Sequence, residues 1–226
     1  MKRILLSVLV LMICSIGAGA QNVNIPDANF KAFLLGTSWI NTNNDNEIQV
    51  SEAAAVTGTI NCSDMNIADL TGIEAFTSIT KLYCYFNDLT SLDLSQNTEL
   101  TLLDCSHNDI TTLNFGQTTK LTYLVCAFNE INALDVSLHA NLGHIEATDN
   151  NILTLDLSQN PALNFLGCGL NKLTTLDVSQ NSELSILKCE NNQLSTLNLG
   201  QNQVLDQLIA SNNNLSAIDL SQVPGL

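Results

Sequence analysis

The chain has 226 residues, 45% of them hydrophobic and only 13% charged, with 22 acidic side chains against seven basic ones and a formal net charge of −15. Lysine and arginine are too few to form a basic patch, which argues against nucleic acid, anionic lipid or polyanionic glycan as partners, because each would be repelled over long range. Past the amino-terminal leader no apolar run reaches the ~18 residues that a bilayer-spanning helix needs.

That leader, MKRILLSVLVLMICSIGAGA, carries two basic residues, an apolar run and then Ala18-Gly19-Ala20. This is the layout of a secretory signal peptide over residues 1–20, cut before Gln21. Lipid attachment at Cys14 is the alternative, disfavoured because Ile13 stands where a small residue is expected. Export predicts a secreted or cell-surface protein, and loss of Lys2 and Arg3 takes the formal charge from −15 to −17.

Residues 21–58 predict a helical cap. IPDANFKAFLLG, residues 25–36, has Pro26 and Asp27 at its start, Phe30, Phe33 and Leu34 on one face and Gly36 as a stop. The loop NTNNDNEIQVSE that follows, residues 41–52, resembles the twelve-residue EF-hand calcium loop. Its candidate calcium ligands are Asn41, Asn43, Asp45, Glu47 and Glu52, between helices expected at 27–35 and from Ser51. Asn41 stands in place of the usual aspartate and Asn46 in place of the turn glycine. The same spacing therefore also reads as an asparagine-rich turn that needs no metal, and no cofactor other than calcium is expected.

Residues 59–226 are periodic. After a divergent first unit around Cys62, cysteines fall at 84, 105, 126, 168 and 189, multiples of 21 apart, with Ala147 and Ala210 in the skipped places. Three positions after each stands asparagine, from Asn87 to Asn213, without one slip of register. Each unit reads L-x-x-L-x-C-x-x-N-x-L-x-x-L-[DN]-L-[SG]-x-N. This resembles the leucine-rich repeat, with Cys or Ala at its sixth position. The resemblance implies a solenoid of about eight coils, mostly β. Short parallel strands line one side, and the other is extended or 3₁₀, because 21 residues leave little room for a helix. Together with the cap, it is similar to the capped repeat domains of internalin-like surface proteins of bacteria, which implies surface recognition.

The repeat also answers the local temptation of LLDCSHNDI, residues 102–110, where Cys105 and His107 look like metal ligands or a nucleophile with its base. Cys105 trades places with alanine in a buried column, as a small hydrophobe does. Side chains stacked in one parallel column project side by side, so these cysteines are expected to be free, inaccessible thiols rather than disulfides. His107, His139 and His144 look scattered, and no nucleophile elbow or phosphate loop is present, so no enzyme is expected.

Recognition is instead expected on the outward strand positions of the concave face. Tyr83, Tyr85, Phe86, Tyr123, Phe128, His144 and Phe165 fall there and are the candidate ligand-binding residues, for an extracellular protein or a glycan. Two blander readings stand beside this one. The aromatics could serve only as a ladder between strands, or the protein could be a structural component of the envelope or matrix. The chain stops at VPGL partway through a coil, which leaves the last core edge to a dimer contact or to further sequence.

Overall fold

The computed structural model describes residues 21–226; the leader and Cys14 lie outside the described residues. The cap helix runs Ala28–Gly36, starting two residues after Pro26, because Asp27 acts as its N-cap: one carboxylate oxygen accepts from the backbone N–H groups of Asn29 and Phe30. The other oxygen accepts from Ala68 and Asp69 N–H in the first coil, so a single side chain both starts the helix and moors it. Phe30 and Leu34 are fully buried, while Phe33 lies only partly inside. A second helix, Val50–Ala55, begins one residue before Ser51, under a capping box made by Gln49 and Glu52.

Eight parallel strands then form one sheet, from Gly58–Asn61 and Ile79–Tyr83 through Leu102–Asp104, Tyr123–Val125, His144–Glu146, Phe165–Gly167 and Ile186–Lys188 to Gln207–Ile209. Past a register shift at Gly58/Thr59 in the first strand, pairing keeps one register: Leu103 faces Leu124, Leu124 faces Ile145, and Ile145 faces Leu166. One sequence position thus becomes one spatial column, with neighbours ~4.8 Å apart. The return limb is extended, as Thr175–Asp177 pairs with Thr196–Asn198 and Ser91–Asp93 with Thr112–Asn114. The single 3₁₀ turn among the described residues, Ile73–Ala75, sits in the divergent first coil.

The core is a stack of apolar columns at the first, fourth, sixth, eleventh, fourteenth and sixteenth positions, the last filled by residues such as Leu94, Val136 and Val178. Cys62, Cys84, Cys105, Cys126, Cys168 and Cys189 are all buried and free. Burial pushes the Cys62, Cys126 and Cys189 thiols up to about 12 and the other three well above the ordinary thiol range, so none is a thiolate at neutral pH.

Two polar columns run through this core. At the ninth position each asparagine completes a backbone network. Asn108 Nδ2 donates to the carbonyls of Cys84 at 3.0 Å and Cys105 at 3.1 Å, while its Oδ1 accepts from Leu89 N–H at 3.0 Å. The second column, at the nineteenth position, holds Asn97, Thr118, His139, Asn160, Asn181 and Asn202, each 0–2% exposed. Asn160 Nδ2 donates to Val136 and His139 carbonyls, both at 2.9 Å. His139, one of three histidines that look scattered in the sequence, is one rung of this column and meets the Phe115 ring edge-on at 4.8 Å.

Candidate functional site on the concave face

The seven aromatic and histidine candidates occupy two neighbouring lines of the concave face, at the third and eighth positions of the coil, plus Tyr83 and Tyr85 between them. The eighth-position column lies just past the strands. Every member has positive φ: Phe86 53°, His107 54°, Phe128 56°, Asp149 57°, Leu170 53°, Asn191 56° and Asn212 56°. Asparagine and aspartate tolerate this left-handed conformation, whereas phenylalanine and leucine adopt it at a cost of about 1–2 kcal/mol each.

The rings of this column stack. Phe86 and His107 lie 4.2 Å apart with planes at 17°, and His107 and Phe128 lie 4.3 Å apart at 9°. Tyr85 meets Phe86 edge-on at 5.8 Å. A second stack stands at the third position, where Tyr123 and His144 are 4.0 Å apart and His144 and Phe165 4.2 Å, with ring planes nearly parallel in both cases. Lys188 Nζ closes the far side of Phe165 at 5.4 Å from its centroid. Each stack has a histidine as its middle ring. His107, set aside in the sequence because its column varies, belongs to the site, and the alternation of Phe, His and Phe every 21 residues was the signal for it.

Phe86 at 53% exposure and Phe128 at 44% are the most open rings, followed by Tyr123 at 39%. Tyr83, Tyr85, His144 and Phe165 are half-buried. Burial pulls His144 below its ordinary value against the pull of Glu146, so it is neutral at pH 7. Because the rings cover one another's faces, what the ladders present to solvent is mostly ring edge. Edges carry the positive side of the aromatic quadrupole, while faces carry the negative side.

The cap loop brings Asn43, Asp45, Glu47 and Glu52 close together and bonds most of their oxygens internally, while Asn41 donates its amide to the Leu35 and Asp45 carbonyls and leaves its Oδ1 buried without a hydrogen-bond partner. Glu52 Oε1 accepts from Thr42 N–H and hydroxyl and from Asn43 N–H, and its Oε2 accepts from Gln49 N–H. Asp45 Oδ1 accepts from Glu47 N–H, and Oδ2 from Asn43 and Gln49 amides. Glu47 pairs with Lys31 at 2.8 Å. Burial raises the Glu52 carboxyl, yet these four bonds outweigh it and hold it below the usual range. A calcium ion here would have to displace most of this network, Asn41 Oδ1 being the one candidate oxygen that is buried and unbonded. No group of three or more His, Cys, Asp or Glu side chains among the described residues is arranged to hold a metal.

No family model matches the sequence. Over 73 residues, 32% of the chain, it is 40% identical to internalin J of Listeria monocytogenes, of which the match spans 8%. The solved functional domain of that internalin, described as including a cysteine ladder, superposes with a TM-score of 0.67 at 33% identity, over 92% of this chain and 52% of that one. The chain thus spans about half of that domain. The LRIM1/APL1C complex gives a TM-score of 0.66 at 24% identity over 74% of this chain and 33% of that one, a likeness of fold alone. No described helix is long and apolar enough to cross a membrane. The chain is a leucine-rich-repeat solenoid, similar in sequence and fold to the cysteine-laddered domain of internalin J.

Proposed function

We propose that the protein is an extracellular or cell-surface binding module, not an enzyme, that recognises a protein partner through the concave face. The observation that carries this reading is the Phe86–His107–Phe128 ladder, with two phenylalanines held exposed in a backbone conformation that disfavours them. The same column uses asparagine at 191 and 212, so the coil itself does not require an aromatic ring there. Unfavourable backbone geometry kept at an exposed apolar group is a mark of a functional surface. Ring edges suit the side chains of a protein, whereas a sugar stacks on ring faces, most of which are already covered here. A glycan ligand is the second reading.

The double variant Phe86→Asn, Phe128→Asn tests this. It gives up two ring stacks and the Tyr85 edge contact, worth about 0.5–1.5 kcal/mol each, and relieves two left-handed backbones at about 1–2 kcal/mol each, so stability should fall by no more than about 1–2 kcal/mol. Binding to arrays of extracellular proteins should fall by tenfold or more. A clear loss of stability with binding intact would return the ladder to a purely structural role, and selective binding on a glycan array would favour the sugar.

We propose that the cap loop is a self-bonded turn rather than a calcium site. Calorimetric titration with millimolar calcium is expected to release no heat and to leave the melting temperature unchanged. Stabilisation by calcium that disappears in Glu52→Gln would overturn this.

A further inference from the structure

Within the concave face one strand is bare. At the fifth and seventh positions, where the other coils carry residues such as Tyr83 and Tyr85 or Lys188 and Glu190, the Phe165 coil has Gly167 and Gly169. Neither glycine has positive φ, so the backbone does not require them, and glycine inside a strand weakens it. What they supply is space. A Cβ on Gly167 would lie 2.5 Å from both carboxylate oxygens of Glu146, and a Cβ on Gly169 would lie 3.0 Å from the Glu190 carboxyl carbon.

Two glutamates from flanking strands therefore fold toward the same bare strip instead of diverging into solvent. Neither takes part in a salt bridge among the described residues. Lys188 sits over the Phe165 ring. Glu146 Oε1 accepts only from Thr148 N–H at 3.1 Å, and Glu190 Oε2 is buried with no hydrogen-bond partner. A buried carboxylate oxygen with no partner is unfavourable unless a donor completes it. Beside the two carboxylates opens a cavity of about 380 Å³ lined by Ser106, Ala127, Phe128 and Thr148, both glutamates, and Lys188, whose Nζ lies over the Phe165 ring and forms no salt bridge with either glutamate.

We propose that this cavity is the subsite for an arginine side chain of the partner protein, its guanidinium set between Glu146 and Glu190 and its stem against Phe128. A planar, always-charged fork matches two carboxylates at once, and the strongly acidic chain favours a basic segment. The inference rests on the concave face being the recognition surface, and it narrows the partner to one that offers an exposed arginine.

The test is an amide-shift titration of the chain from Gln21, with N-acetyl-arginine amide as the probe and N-acetyl-citrulline amide as its uncharged match. Saturable shifts at Gly167, Gly169 and Thr148 are expected for arginine, with a dissociation constant on the order of millimolar and roughly tenfold weaker binding of citrulline. Glu190→Gln should weaken the arginine response several-fold. So should Gly167→Ala, where only the mobile end of Glu146 has to move and the fold is kept. Equal shifts with citrulline, shifts elsewhere only, or no saturation would overturn the subsite. If the subsite fails while Phe86→Asn, Phe128→Asn still abolishes partner binding, the concave-face reading stands and this inference alone falls.

Discussion

The two buried polar columns make opposite use of asparagine. On the strand side, Asn129 donates to the carbonyls of Cys105, Cys126 and Ala127 and accepts from Ile110 N–H, so both ends of its amide are spent. On the return side, Asn181 donates to Leu157 and Asn160 carbonyls while its Oδ1 is buried without a partner, as it is in Asn97, Asn160 and Asn202. A fully bonded amide is specified at both ends and admits no substitute. A half-bonded one needs only a donor, and its column accepts Thr118, whose hydroxyl donates to Leu94 and Phe115 carbonyls.

This contrast ranks the substitutions. Asn129→Ala strands an N–H and several carbonyls in the core and should cost about 3 kcal/mol or more, measured by urea unfolding. Asn181→Ala strands two carbonyls but also removes an unmet acceptor, so about 1–2 kcal/mol is expected. A larger loss at 181 than at 129 would reverse the ranking and show that the return-side column carries the coil.

His139 sharpens the comparison further. Both its ring nitrogens are buried without a hydrogen-bond partner, and burial holds it below its ordinary value of 6.5, although the Val136 and Thr118 backbone and Asp135 oppose the shift. His139→Asn should restore the donor bonds of the column and stabilise the fold by about 1 kcal/mol, less the lost contact with Phe115. The sign of the pH effect follows from the lowered folded value. Below about 6.5 the unfolded chain binds the proton that the folded one resists, so stability is full above that pH and lost as pH falls through it. The asparagine variant should flatten that decline between pH 7 and 5. His144 has the same sign and leaves a residual slope.

What could be read from the sequence was what recurs in one register. The ninth-position asparagines and the cysteine-or-alanine column keep one register and specify the solenoid and its buried thiols, while the 21-residue length left the return limb either extended or 3₁₀, of which the extended form is found. The asparagine of the nineteenth column closes the repeat pattern, but its burial, and the membership of Thr118 and His139 in the same column, could not be read from residue type. The left-handed column was hidden because Phe86, Phe128 and Leu170 are residues that a conformational preference would place anywhere else. The uniform Asp93, Asp135, Asp156, Asp177 and Asp219 row behaves as a turn-former. Bonds from the serine two residues on hold these carboxyls below their usual range, and at 114 and 198 asparagine makes the corresponding bond to a glycine N–H.

The cysteine column has a consequence for the protein's lifetime. Six thiols are inert only while the coils are closed, because burial both hides them and keeps them protonated. Once a coil opens under oxidising conditions, neighbouring sulfurs become free to form bridges that the parallel stack cannot accommodate, and the chain cannot return. Survival in such surroundings is then governed by the rate of the first opening rather than by the equilibrium between folded and unfolded states.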